Sequence, residues 1–112
     1  MFATDHAPHP LAKKAVSYET AANGIIGLET AVGITYRVMV EEEGMEVSDW
    51  ARAWWEKPRA LFTPAFDLSS LPETQVTVGD EYEVDPDTFL SLSRNCPYRG
   101  LRLNVRAELM KG

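Results

Sequence analysis

The stretch Met1-Phe2-Ala3-Thr4-Asp5-His6-Ala7-Pro8-His9 decides how the rest of the chain is read. A short apolar piece runs straight into a carboxylate, two imidazoles and a proline-stiffened turn. Read as a strand end followed by a reactive turn, it points to an α/β enzyme, because ligands there bind at the carboxyl ends of strands. An aspartate in that place can ligate a metal, or carry a proton to and from a metal-bound water. A histidine a few residues on can donate a hydrogen bond to an anionic substrate. The plain alternative is a solvent-exposed polar segment. A catalytic zinc site takes three protein ligands and one open position. Asp5, His6 and His9 supply three only if the loop folds tightly back, and the chain holds no other histidine.

Working outward, Gly24-Ile25-Ile26-Gly27-Leu28-Glu29-Thr30 sets two glycines ahead of a helical stretch. Glycines there let a backbone approach a ligand, and a helix N-terminus favours an anion. A loop packed closely before a helix is the equal alternative. From Gly24 to Phe62 the pattern is helical. Leu28, Ala31, Val32, Thr35, Val38 and Met39 recur at three- and four-residue spacing on one face. Gly44, after the acidic run Glu41-Glu42-Glu43, suits a helix stop in the left-handed conformation. The acidic run itself reads as a solvated helix end. Ser48 is the expected N-cap of a second helix, with Asp49 in its first turn and Trp50, Ala53 and Trp54 on its apolar face. Pro58 interrupts that helix and can open a further turn.

Thr63 to Pro72 reads as a connecting loop, and the remainder as mostly β. Val76 and Val78, then Tyr82 and Val84, alternate with polar residues, and Gly79-Asp80 between them suggests a turn or bulge. Asp85-Pro86 opens a short helix to about Leu92. Ser93-Arg94-Asn95-Cys96-Pro97-Tyr98-Arg99-Gly100 is a polar turn, where Arg94 can pair with a carboxylate and Asn95 can satisfy backbone groups. Leu101, Leu103, Val105, Ala107 and Leu109 alternate with polar neighbours, as in a half-buried strand.

Composition narrows the function classes. The chain has 112 residues, 45% hydrophobic and 25% charged, which fits a soluble globular domain. A net charge of -6 with scattered basic residues argues against nucleic-acid binding, which depends on clustered Lys and Arg. No stretch approaches the ~18 apolar residues of a membrane span, and no signal peptide is visible. The single cysteine, Cys96, excludes an internal disulfide and suits a reducing cytoplasm. It reads as a small half-buried side chain, with no histidine near it in sequence.

Together these segments resemble the dihydroorotases of the amidohydrolase superfamily. Thr4-Asp5-His6-Ala7-Pro8-His9 is similar to the family signature at the end of the eighth barrel strand. Gly24 to Thr30 resembles its glycine-rich lead into the eighth helix. Val84-Asp85-Pro86 and Ser93 to Gly100 resemble its C-terminal signature, and all occur in the family's order. Ala7 and His9 favour dihydroorotase over related cyclic amidohydrolases. The resemblance implies Asp5 as the catalytic aspartate, touching a zinc site and moving a proton from the attacking hydroxide to the leaving amide nitrogen. It implies His9 as a binder of the substrate carboxylate. Asn23 and Gly24 stand where the family touches substrate through its backbone, although Asn23 departs from the usual proline. His6 belongs to the motif without a direct role.

The departures matter as much. The family's His-x-His pair, its bridging carboxylated lysine or aspartate, and its two further histidines cannot be supplied by a His-x-x-His pair alone. The arginine and asparagine that hold the substrate carboxylate lie upstream in the family. A (β/α)8 barrel takes about 250 residues. The stretch from Phe62 to Gly79 is also shorter than the family's usual glycine-rich turn.

The expected fold class is therefore α/β: the last strand and helices of a (β/α)8 barrel plus a small C-terminal antiparallel β portion. Residues 1–62 would form the final barrel unit and following helices, and 63–112 the β-rich portion. Standing alone, the chain is expected to be a small rearranged α+β domain, inactive without the rest of the zinc cage and binding no zinc tightly. The expected partners are dihydroorotate and carbamoyl aspartate in the complete enzyme, with no nucleic acid and no membrane, in the cytoplasm. A non-enzymatic, self-associating module is the alternative, with the apolar face from Leu28 to Met39 unpartnered and open to homo-oligomerisation. A small metalloenzyme built on Asp5, His6 and His9 is a third, weaker reading.

Overall fold

Thr35 shows why the helical stretch folds as it does. Its hydroxyl oxygen accepts the indole N–H of both Trp50 and Trp54, each at 3.0 Å. The same hydroxyl donates to the Val32 carbonyl at 3.2 Å. Both lone pairs and the proton are thus used, which lets two tryptophans pack without stranding their N–H groups.

The computed structural model describes residues 1–110. The element order is α1 (Leu11–Lys14), α2 (Ala31–Thr35) running into a π-helical stretch (Tyr36–Glu42), α3 (Val47–Trp54), α4 (Glu56–Phe62), β1 (Thr74–Glu83), a 3-10 turn (Pro86–Thr88) and β2 (Arg102–Leu109). β1 and β2 pair in a two-stranded antiparallel sheet, so the described chain is α+β. No helix among the described residues is long and apolar enough to cross a membrane.

The chain packs into two compact units, each drawn from several stretches. The helical unit comprises Met1–Ala3, Val32–Asp80 and the chain from Asn104; the loop unit comprises Thr4–Ala31 and Glu81–Leu103. In the helical unit Trp50 and Ala53 are buried, as the apolar face of the second helix predicts. The Tyr36 ring meets Trp50 edge-on at 5.2 Å, and Phe2 lies tilted against Trp54 at 5.3 Å. Gly44 has φ +73, the left-handed conformation expected of it at the helix end. In the loop unit Ile26, Thr30, Val84, Pro86, Ser93 and Leu103 are buried.

Several expectations are corrected. Met1–Ala3 forms no strand; Phe2 N donates instead to Ala53 O at 3.4 Å. A barrel strand is made by ladders to neighbouring strands, and the two strands among the described residues pair with each other. The helix expected from Leu28 is regular from Ala31, after a turn in which Gly27 O accepts the Thr30 and Ala31 N–H groups; the Gly27 and Leu28 N–H groups, which a helix start leaves without an internal acceptor, go to His6. From Tyr36 the helix widens, with Glu43 N bonding Val38 O five residues back, a π pattern that a 3.6-residue period does not register. The second helix starts at Val47, its first turn closed by Asp49 N and Trp50 N on Glu46 O rather than by Ser48. It ends at Trp54. Pro58 falls in the first turn of α4, where its missing N–H leaves no helical bond unmade.

Gly79-Asp80 makes no turn; β1 runs straight through it. The alternation there does not report burial, since almost all of β1 is exposed on both faces. The helix expected from Asp85 to Leu92 is one 3-10 turn. Asp85 caps it, its carboxylate accepting Asp87 N at 3.0 Å. In β2 the period of two holds, with Leu103 and Val105 buried, while Ala107 and Leu109 are exposed.

Candidate active site

The loop unit brings His9, Lys14 and Asn95 onto one short backbone segment, Ala22-Asn23-Gly24. Three consecutive carbonyls there are held by side chains from elsewhere in the chain. Lys14 Nζ, at the C-terminal end of α1, donates to Ala22 O at 2.5 Å and to Gly24 O at 3.0 Å. His9 Nε2 donates to Asn23 O at 2.8 Å. Asn95 Nδ2 donates to Gly24 O at 2.7 Å. The charged and part-buried Lys14 makes the strongest class of these bonds.

Gly24 explains the close packing. Its φ is +98, and a Cβ placed on it would lie 2.5 Å from the Ala7 Cβ. Only glycine fits so near the turn that carries His6 and His9. Alongside, Ala7 N donates to Ile25 O at 2.9 Å and Ile26 N to Asn95 O at 3.1 Å. Ser93, which is buried, donates its hydroxyl to His9 O at 2.9 Å. The stretches around residues 5–9, 22–26 and 93–96 thus lie edge to edge within one unit. A pocket of about 340 Å³ opens beside them, lined in part by His9, Lys14, Arg94 and Cys96.

Asp5 sits at the exposed end of this arrangement. Its φ of +45 is the only positive value at a non-glycine residue among those described. Asp tolerates the left-handed conformation better than most residues, at a cost of about 1–2 kcal/mol. Its carboxylate makes no hydrogen bond among the described residues, so it is available to a ligand. His9 is less so: with Nε2–H spent on Asn23 O, its Nδ1 donates to an anion only if the ring is an imidazolium.

His6, Glu29 and Ser91 form a second network. His6 Nδ1 accepts the N–H of Gly27 at 3.1 Å and of Leu28 at 3.3 Å. His6 Nε2 lies 3.4 Å from Ser91 Oγ. That hydroxyl donates to the Glu29 carboxylate, with Glu29 oxygens at 2.7 and 2.9 Å, and Ser91 N donates to it at 2.9 Å. Partial burial pushes the Glu29 carboxyl up, but the Ser91 hydroxyl and backbone N–H outweigh it and hold Glu29 below its ordinary value.

A third cluster is electrostatic and exposed. Arg99 pairs with Asp85 at 3.3 Å and Asp87 at 3.0 Å, and Arg94 with Asp87 at 3.7 Å. The Arg99 hydrogen bonds hold Asp87 below the usual carboxylate range. The pairing expected of Arg94 is met here, and Asn95 satisfies the backbone of Gly24 rather than of its own turn.

The donor set does not fit zinc. No group of three or more His, Cys, Asp or Glu side chains is placed to hold a metal among the described residues. His6 Nδ1 is committed to two backbone N–H groups and His9 Nε2 to a carbonyl, so neither offers that nitrogen to a cation. Lys14, Glu29 and Ser91 were not singled out by the sequence. Glu29 lies in the quoted glycine-rich stretch and Lys14 in the sole Lys-Lys pair, but nothing in their spacing tells which carbonyl or hydroxyl they meet.

No family model matches the chain. Among curated proteins it is similar to the dihydroorotase of Syntrophotalea carbinolica, at 40% identity over 111 residues, covering 96% of this chain and 26% of that protein. The dihydroorotase of Anaeromyxobacter sp. (strain K) is 40% identical over 108 residues, covering 93% and 25%. That of Bacillus cereus (strain B4264) is 38% identical over 104 residues, covering 89% and 24%. The chain therefore spans about a quarter of the length of the curated relatives it matches.

Proposed function

Because this chain is a segment of the dihydroorotase family, matched along nearly all its length, we propose that it carries one edge of a cyclic-amide hydrolase site that interconverts dihydroorotate and carbamoyl aspartate. Asp5 moves the proton: it takes one from the attacking water and delivers it to the amide nitrogen that leaves the ring. His9, released from Asn23 O or doubly protonated, binds the substrate carboxylate. The Asn23–Gly24 backbone lines the same edge. The observation that carries this reading is the 2.8 Å bond from His9 to Asn23 O, which joins two sequence-distant stretches the chemistry needs together.

In the same reading Met1–Ala3, which forms no strand here, would meet the neighbours that make it one only in the complete (β/α)8 barrel, with the helical stretch after Thr30 as its return. Zinc is the cofactor the family implies. These residues do not build its cage, and the 112-residue chain by itself does not turn over dihydroorotate. The reaction belongs to a reducing cytoplasm, where the lone Cys96 thiol is stable.

Grafting supplies the test. This chain replaces the matching quarter of the Syntrophotalea carbinolica dihydroorotase, and dihydroorotate turnover is measured. Activity is retained, and Asp5→Asn lowers kcat by about 10²–10⁴-fold, the usual worth of a positioned acid–base group. Retained activity with no loss in Asp5→Asn overturns the assignment of Asp5. Turnover by the 112-residue chain alone overturns its incompleteness.

A second reading is favoured by apolar exposure in the helical unit. The face expected to self-associate, from Leu28 to Met39, is largely half-buried, with Ala31, Val32, Thr35 and Met39 partly covered, whereas Trp55, Leu61, Phe66 and Leu71 are each about 60% exposed. Such a surface suits self-association as a non-enzymatic module. Sedimentation decides it: a monomer across the micromolar range, with no binding of an apolar dye, rules the module out.

A further inference from the structure

We infer that His6, which has no role in the chemistry above, is the positioning residue of this edge: its ring, held as the Nε2–H tautomer, clamps the Asp5 turn onto the Gly27–Leu28 backbone. The functional part of this inference rests on the reading of Asp5 as the proton carrier.

The proton directions leave one arrangement. Gly27 N and Leu28 N are donors without alternative, and both point at His6 Nδ1. Nδ1 must therefore present its lone pair. A proton there would set three N–H groups against one another. The ring's proton is then on Nε2, facing Ser91 Oγ at 3.4 Å. Ser91 can accept it because its own proton goes to Glu29. Backbone donors on one side, and a serine polarised by a carboxylate on the other, select the same tautomer. The second-side partner of an imidazole commonly fixes its tautomer in this way.

The consequence falls on Asp5. A non-glycine residue persists at positive φ only where its surroundings over-determine it. Asp5 is followed by two anchored residues: His6, through its ring, and Ala7, through its N–H to Ile25 O. On the other side of the loop, Gly27 lies beside Thr4, where an added Cβ would make an ordinary contact of 3.4 Å with Thr4 O. His6 and Ala7, the two residues after Asp5, are bonded to the 25–28 stretch while Asp5 stays exposed. A proton carrier needs this combination, because small misplacements of a reacting group lose rate steeply.

The test reads the tautomer and the clamp separately from catalysis. In the ¹⁵N-histidine-labelled 112-residue chain at neutral pH, His6 Nδ1 gives the signal of an unprotonated nitrogen and Nε2 that of a protonated one. A protonated Nδ1 overturns the inference without any mutation. The Gly27 and Leu28 amides exchange slowly. His6→Ala speeds both by tenfold or more and shifts the one-bond Cα–Hα coupling of Asp5 away from its positive-φ value. His6→Asn, whose carboxamide oxygen sits where Nδ1 does, restores both. Unchanged exchange in His6→Ala, or no rescue by Asn, overturns the clamp. Should His6→Ala not fold, Ser91→Ala substitutes for it: exchange at Gly27 and Leu28 stays slow while the Nε2 proton exchanges faster, and an unchanged Nε2 proton overturns the relay. In the grafted enzyme His6→Ala lowers kcat with KM unchanged, and His6→Asn recovers it. An unchanged kcat overturns the positioning role. If Asp5→Asn is silent instead, the Asp5 reading fails, and the tautomer and exchange results still decide whether His6 holds the turn.

Discussion

In the helical unit one hydroxyl, that of Thr35, collects two indole N–H groups. In the loop unit the relation is inverted: the carbonyls of Ala22, Asn23 and Gly24 collect an ammonium, an imidazole and an amide. The first arrangement lets large apolar rings pack by satisfying their polar tips. The second fixes irregular backbone where no ladder or helix can do so. The difference teaches where each unit is vulnerable. Packing volume dominates in one, and bond-by-bond satisfaction of backbone groups in the other.

The largest expected effect breaks the helical unit. Trp50 is 4% exposed, packs edge-on against Tyr36 and donates to Thr35. Trp50→Ala removes that volume and should cost about 3–5 kcal/mol. Urea unfolding followed by far-ultraviolet circular dichroism checks it, and a loss under about 1 kcal/mol would mean that the aromatic cluster is not what holds this unit.

Next comes the loop unit's tightest approach. Gly24→Ala sets a Cβ 2.5 Å from that of Ala7 at a φ of +98. Overpacking and left-handed strain together should cost roughly 2–4 kcal/mol. The same denaturation experiment reads it, and an effect equal to that of Gly44→Ala, where a Cβ meets nothing within 4 Å, would show that conformation alone matters.

A smaller loss separates one hydrogen bond from the rest. Asn95→Ala removes the Nδ2 donor to Gly24 O, but Lys14 still donates to that oxygen. The expected cost is about 1 kcal/mol. Combining it with Lys14→Met should exceed the sum of the two single losses, since the Gly24 carbonyl then keeps neither donor; simple additivity would deny that the two act on one group.

The mildest test uses pH. Glu29 folds with its carboxyl held below the ordinary value of 4.5. It therefore contributes stability that is present above that value and lost as pH falls through the lower folded value. Ser91→Ala removes its hydroxyl donor, so stability should depend less on pH in that acid window. An acid limb identical to that of the unmodified chain would remove Ser91 from the account.

The sequence by itself settled the residue-level features whose cause is local. The alternation in 101–109 buries Leu103 and Val105 because side chains on a strand point to opposite faces. Gly44 turns left-handed because a helix end needs that conformation there. The order of motifs matched the family because sequence similarity needs no fold to be read. Tertiary structure alone decided what joins them. Periodicity cannot show that the Gly27 and Leu28 N–H groups, left without an acceptor at the helix start, are taken by His6. It also cannot show that Lys14 and Asn95 meet at one carbonyl, since those partners are 81 positions apart in the chain (95 − 14). Met1–Ala3 reads as a strand from its residues, yet strands are made by neighbours, and among the described residues the ladder joins β1 and β2. What a residue is inclined to form is written locally. What its polar groups finally bind depends on which distant segments the fold brings within 3 Å.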